Sequence, residues 1–308
     1  MNHQGHGLAL EHPVFNTPNH VRFPSTTAPR TRQYEGYTSP LYPDGMGETY
    51  ELVDFEVDAP EDSWNPTLVS HEGFFTDVPG FENIAEACSA KMLGSLSLAR
   101  QGRWFYWGYS IDPERLTDPA EDAFENTIRY MARQRDALTV PFVCKTRRTL
   151  WVYLALNEET GYLRGIEEHF LGSVKPESRA DYEPTPEGLR AWLDANQAYV
   201  FSGKDESHRG DRYGTIFEVD QDAKRLGTPN AERASLERWI AMSSSGDADE
   251  RAVARRLLTR YVDAAIAPPD WDGAAEWYAT MRERIVFCDS AGFVWLEDPR
   301  VLEREARG

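Results

Sequence analysis

Lysine is nearly missing from this chain: only 5 of its 33 basic residues are Lys and the rest are Arg, so no stretch reads as a mobile lysine-rich tail. Cysteine is scarce as well. Cys88, Cys144 and Cys288 are an odd, scattered set, whereas a disulfide framework needs dense, paired cysteines, so a reducing, cytoplasmic setting is expected. No run approaches the roughly eighteen apolar residues of a membrane span, and residues 1–10 lack the basic-then-apolar pattern of a secretion signal. No G-x-G-x-x-G, Walker loop, paired C-x-x-C or kinase set occurs, which argues against nucleotide, dinucleotide and zinc-ribbon readings. The sequence implies no cofactor.

What is present is enough to fold. The chain has 308 residues, 41% of them hydrophobic, with 9 Trp, 14 Tyr and 14 Phe, far too apolar and aromatic for a disordered polymer. Its 51 acidic residues outweigh the basic ones to give a formal charge of −18. That field repels phosphate backbones and anionic headgroups, so neither nucleic acid nor a membrane surface is expected as a partner.

Three regions follow from the patterning. Residues 1–46 hold His3, His6, His12 and His20 and six prolines but no helical or strand period, which predicts an extended arm. Its aromatics, Phe15, Phe23, Tyr34, Tyr37 and Tyr42, suggest that the arm lies on something, either its own domain or a neighbour such as a protein partner or a second copy. Residues 47–142 read as a mixed α/β domain. It has a strand over 50–57, a second over 67–70, a hairpin of 95–100 and 103–108 turning at Gln101-Gly102, and a helix capped by Thr117 with a core stripe of Ala120, Phe124, Ile128 and Met131. Residues 143–308 read as mainly helical, with helices near 147–157, 161–171, 186–196, 231–242, 247–265 and 273–284. A strand is expected at 214–219 and a closing hairpin at 284–288 and 293–296. The expected class is α/β or α+β.

The run Ala99-Arg100-Gln101-Gly102-Arg103-Trp104-Phe105-Tyr106-Trp107-Gly108, with Pro113, Leu116-Thr117 and the helix to Met131, resembles the closing strands and last helix of class I glutamine-amidotransferase-like domains, including the trehalose-utilisation-protein-like group. There a basic-Gly-basic turn joins two strands and a helix ends the domain. The resemblance spans residues 74–133, under a quarter of the chain. It implies a fold element and not an activity, because such enzymes carry the nucleophile on a glycine-flanked strand-to-helix elbow and Cys88 sits in Glu86-Ala87-Cys88-Ser89-Ala90. Further on, Val219-Asp220-Gln221-Asp222-Ala223-Lys224 with Leu226-Gly227, and Phe287-Cys288-Asp289-Ser290-Ala291-Gly292-Phe293, are similar to the tails of uncharacterised bacterial proteins of the planctomycete type, which imply no activity.

Candidate chemistry is sparse. His71-Glu72, beside Gly73 and two phenylalanines, suits proton transfer, and with Asp112 it forms the hydrolase alternative; adjacent residues of an extended segment face opposite ways, so a dyad needs a turn there. Trp104, Tyr106 and Trp107 are the binding candidates, as a flat platform or as plain core. His3, with the free amine, and His6 nearby make a weak Cu(II) or Ni(II) site. Glu167-Glu168-His169 reads as a solvated helix face, and the loop Asp205-Glu206-Ser207-His208-Arg209-Gly210-Asp211 misses the bidentate Glu of a calcium loop. The reading that follows is a non-catalytic binding or assembly protein.

Overall fold

The structure, a computed structural model, describes residues 4–29, 49–57, 70–71, 78–87, 95–109, 112–144, 146–148, 150–151, 172–203 and 216–307. The mixed α/β content expected from the sequence is present. The chain divides into two compact units, Met1–Thr76 with Gly80–Thr139, and Asp77–Pro79 with Val140–Gly308.

The first unit is built on a seven-stranded sheet. Its strands are β1 (Gln4–His6), β2 (Ser25–Pro29), β3 (Thr49–Asp54), β4 (Ser70–His71), β5 (Phe81–Ala87), β6 (Ser95–Gln101) and β7 (Trp104–Trp107), in the order β2-β3-β1-β5-β6-β4 with β7 also on β6. Every described pairing in it is antiparallel. Helix α1 (Asp118–Ala132) starts at Thr117, whose hydroxyl accepts from the Ala120 N–H, with Pro119 in the first turn where its missing N–H costs nothing.

Two expectations are corrected here. Residues 4–29 are not a separate region: of the two supports expected for the arm, its own domain or a neighbour, the described contacts are with its own unit. β1 lies between β3 and β5, β2 flanks β3, and Val14, Phe15 and Val21 are buried in the unit's core. The prolines that mask periodicity are accommodated locally: Pro13 opens a short 3-10 turn capped by His12, and Pro29 ends an outer strand, where no ladder donor is needed. Residues 30–46 lie outside the described residues. The second correction concerns α1, which buries Ala120, Ala123, Asn126 and Thr127 and leaves Ile128 57% exposed. A buried polar residue sets this face. Asn126 Nδ2 donates to Val14 O at 3.0 Å and Asn19 O at 2.9 Å, while its Oδ1 accepts from Asn19 N at 2.9 Å, so the helix turns the amide and not Ile128 inward.

The core joins Phe55 and Tyr109, stacked at 4.1 Å, to Phe23, Trp107 and Phe124. β1 passes so close to this stack that a Cβ at Gly5 would stand 2.6 Å from the Tyr109 hydroxyl. Across β5 and β6, Glu82 faces Arg100. Arg100 Nε and Nη2 meet the two Glu82 oxygens at 2.7 and 2.8 Å, and the Tyr130 hydroxyl donates to the same carboxylate at 2.7 Å.

The second unit holds two two-stranded sheets, β8 (Val200–Gly203) with β9 (Ile216–Val219) and β10 (Ile285–Cys288) with β11 (Val294–Glu297). Around them are α2 (Pro186–Asn196), α3 (Gln221–Leu226), α4 (Arg233–Ser243), α5 (Ala248–Tyr261), α6 (Ala274–Met281) and α7 (Pro299–Arg307). The expected helix at 161–171 lies outside the described residues. Asp220 joins β9 to α3: Oδ1 caps the helix through the Asp222 and Ala223 amides at 2.9 and 3.0 Å, and Oδ2 takes the Tyr261 hydroxyl at 3.0 Å and the Arg260 guanidinium. A strand, a cap and α5 are thereby fastened by one buried carboxylate. Among the described residues, no helix is long and apolar enough to cross a membrane.

Candidate functional site

The second unit contains an open cleft of about 790 Å³, a size suited to a small molecule. Its described lining is Arg147, Arg148, Trp151, Ala231, Arg233, Val286, Phe287, Asp289 and Trp295. In the β10–β11 hairpin Phe287 pairs directly with Trp295, which puts both rings on one face, 5.5 Å apart. The connecting turn is tight. Gly292 at φ 104° and Phe293 at φ 61° both donate to Asp289 O at 3.0 Å, and the left-handed strain at Phe293 is retained because its ring is fully buried beside Phe217.

Arg147 is the fixed post of the cleft. Its Nε and Nη2 form a fork on Asp289 at 2.8 and 2.9 Å, its backbone N–H reaches Asp289 Oδ2 at 3.1 Å, and Nη2 and Nη1 donate to Asn230 Oδ1 at 3.0 Å and Gln197 O at 3.3 Å. The guanidinium also lies over Phe287 and Phe293, at 5.5 and 5.3 Å from the ring centres. Asn230, fully buried, carries this order onward: its Nδ2 donates to Val200 O at 2.8 Å and its carbonyl accepts from Trp295 Nε1 at 3.2 Å. Trp151 is oriented by Gln197, which accepts from Nε1 at 2.6 Å.

Arg233 is held differently. It stands exposed at the start of α4, where it donates to the carbonyls of Arg282 and, at 3.0 Å, Ile285, and lies 5.5 Å over Trp295. Its guanidinium also meets the Tyr278 hydroxyl, which in turn donates to Glu237 at 2.7 Å, and among the described residues no carboxylate lies within ion-pair distance of it. Its described lining holds three guanidinium groups and one carboxylate, on a chain whose net charge is −18. Beneath it, burial pushes the Cys144 thiol up to about 12 and raises that of Cys288, so both are inert as nucleophiles.

The residues singled out in the sequence fall elsewhere. His71 ends β4 opposite Ser95, while Glu72, His3, Cys88, Glu167-Glu168-His169 and Asp205 to Asp211 lie outside the described residues. Asp112 caps a 3-10 turn, accepting from Glu114 N at 3.2 Å. His6 is buried in the sheet with Nδ1 3.4 Å from Glu86 Oε2, and burial lowers its pKa, which disfavours an imidazolium. Its ring belongs to the sheet and not to a flexible metal-chelating terminus. The aromatic strand β7 splits by face. Trp104 is 67% exposed, and Tyr106 beside it is half-buried with its phenol pushed up to about 12 by burial; Trp107 turns inward against Phe55 and Phe124. Among the described residues no group of His, Cys, Asp and Glu could hold a metal ion.

No family model, curated protein or solved structure matches the chain. The cleft therefore has to be read from its own chemistry. Sequence reasoning passed it over because its parts come from positions 147 to 295; the adjacent Arg147-Arg148 in a strongly acidic chain was the one local signal.

Proposed function

We propose that this chain acts by binding a small molecule in the cleft of its second unit, and not by catalysis. The observation that carries this is preorganisation. Arg147, Trp151 and Trp295 are each fixed by buried or half-buried hydrogen-bond partners before any ligand arrives, so little side-chain entropy remains to be lost on binding. Against the hydrolase alternative of His71, Glu72 and Asp112 stands the use made of Asp112, which is engaged as a helix cap. The binding role expected from the sequence is kept, and its site moves from the N-terminal segment and the β7 platform to this cleft.

A thermal-shift screen of the full chain against a chemically mixed small-molecule set tests the reading, with Trp151→Ala run in parallel. Some compounds should raise the melting temperature of the wild type and lose that effect in the variant. A screen in which no compound stabilises the wild type more than Trp151→Ala refutes the site.

A further inference from the structure

Resting on that reading, we propose that the ligand class is an aromatic anion: an acid group, phosphate or carboxylate, carried on a flat ring. The acid group would meet the Arg233 edge of the cleft and the ring would lie against Trp151 and Phe287.

Three observations converge. First, the described lining is rich in guanidinium: three of its nine residues are arginines against one aspartate, while the chain as a whole is acidic. Arg147 is neutralised by Asp289, so it shapes the cleft and does not attract a ligand. Second, Arg233 has donors to give. Its described partners are the carbonyls of Arg282 and Ile285 and the Tyr278 hydroxyl, fewer than the five N–H groups that a guanidinium carries in a planar fork suited to carboxylate or phosphate oxygens. Those two carbonyls hold the fork in place at the mouth without cancelling its charge. Third, the apolar part of the cleft is flat. Phe287 and Trp151 are only half-buried, and Phe287 is already braced on one side by Arg147 and edge-on by Trp295, so an incoming ring finds a rigid aromatic surface. A bare inorganic anion would leave that surface unused, and a neutral ring would leave Arg233 unanswered.

Isothermal titration of the full chain decides it, using phenyl phosphate and benzoate as probes, with benzyl alcohol and inorganic phosphate as their neutral and ringless counterparts. At least one of the two aromatic anions should bind one-to-one, about tenfold or more tighter than either counterpart, since a charge-assisted bond is worth a factor of that order. Which of the two wins separates a phosphate from a carboxylate source. Affinity should fall as salt rises from about 0.05 to about 0.5 M. Arg233→Met should weaken binding about tenfold and Arg148→Gln should weaken it as well. Because Arg233→Met also frees two carbonyls, its circular dichroism and melting temperature are recorded, and Arg233→Lys, which keeps the charge and loses the fork, should fall between it and the wild type. Benzyl alcohol binding as tightly as the anions, with loss in Trp151→Ala, overturns the anion inference and leaves the binding reading standing. Inorganic phosphate alone matching the aromatic anions overturns the ring. Aromatic anions whose affinity is unchanged in both arginine variants overturn the assignment to this cleft. Failure of every probe, together with an empty compound screen, overturns both readings.

Discussion

Glu82 is the residue through which acid should weaken the first unit. Burial alone would raise its pKa, but hydrogen bonds from Arg100, His12 and Tyr130 and the charge of Arg100 outweigh that and hold the carboxyl at about 2, against an ordinary 4.5. A folded pKa below the unfolded one means that the carboxylate stabilises the fold fully above pH 4.5 and that this contribution disappears as pH falls toward 2. At about 1.4 kcal/mol per unit the difference is at most about 3.4 kcal/mol. Because the carboxylate keeps 32% of its exposure, solvent screening reduces this to about 2 kcal/mol. Glu82→Gln removes the charge and leaves the Arg100 guanidinium, 1% exposed, facing an amide, so the variant should be less stable by about 3 kcal/mol at pH 7. The decisive quantity is the gap between wild type and variant: it should be constant from pH 7 to 5, narrow from pH 4.5 downward, and fall to about 1–1.5 kcal/mol near pH 2.5. A two-unit chain does not melt as one transition, so native-state hydrogen exchange of the β5 and β6 amides, read beside urea denaturation at each pH, assigns the loss to this sheet. A gap that stays the same between pH 7 and pH 3 would show that the Glu82–Arg100–Tyr130 cluster is not linked to stability in this way.

Gly102 turns the β6–β7 hairpin at φ 55°, and a Cβ there would stand 2.4 Å from Leu138 O, so Gly102→Ala should cost about 2–3 kcal/mol by urea denaturation. Asn126→Ala strands the Val14 and Asn19 carbonyls that its amide satisfies, and should destabilise the first unit by about 2–3 kcal/mol, with faster amide exchange at Asn19. Trp104→Ala removes a side chain that is 67% exposed and should change stability by less than about 0.5 kcal/mol, whereas Trp107→Ala, packed on Phe55 and Phe124, should cost about 3 kcal/mol in the same assay.

What the sequence made legible was local. The hairpin at Gln101-Gly102 needs a residue that tolerates positive φ, Thr117 with Pro119 marks a helix start, and Asp289 to Gly292 between two apolar runs marks another hairpin; each signal is contained in a few residues, and each element stands within a residue or two of its expected bounds. Pairings across large separations left no such trace. β1 is three residues long and joins β3 and β5, some 50 and 80 positions away, so its strand character exists only in the assembled sheet. Hydrophobic periodicity also assumes that polar residues face outward, and Asn126 breaks that assumption by finding all its partners inside.

The same physics explains why the cleft was invisible while its neighbourhood was not. The β10–β11 hairpin could be read, including the aromatic residues that form the cleft wall, but a wall becomes a site only when a counter-wall is placed against it. That placement is made by Arg147 gripping Asp289, 142 positions away, and by Asn230 tying Trp295 to Val200 and to Arg147. None of these residues belongs to a spaced motif, and the binding proposed for the cleft would need shape and charge and not the fixed geometry of a nucleophile or a metal. The sequence reveals the elements, and the binding proposed here would reside in the side chains that lock one element to the next; Asp289→Asn, which would loosen the Arg147 fork while leaving the hairpin itself intact, is therefore expected to harm that binding more than any change at Trp104, Tyr106 or Asp112.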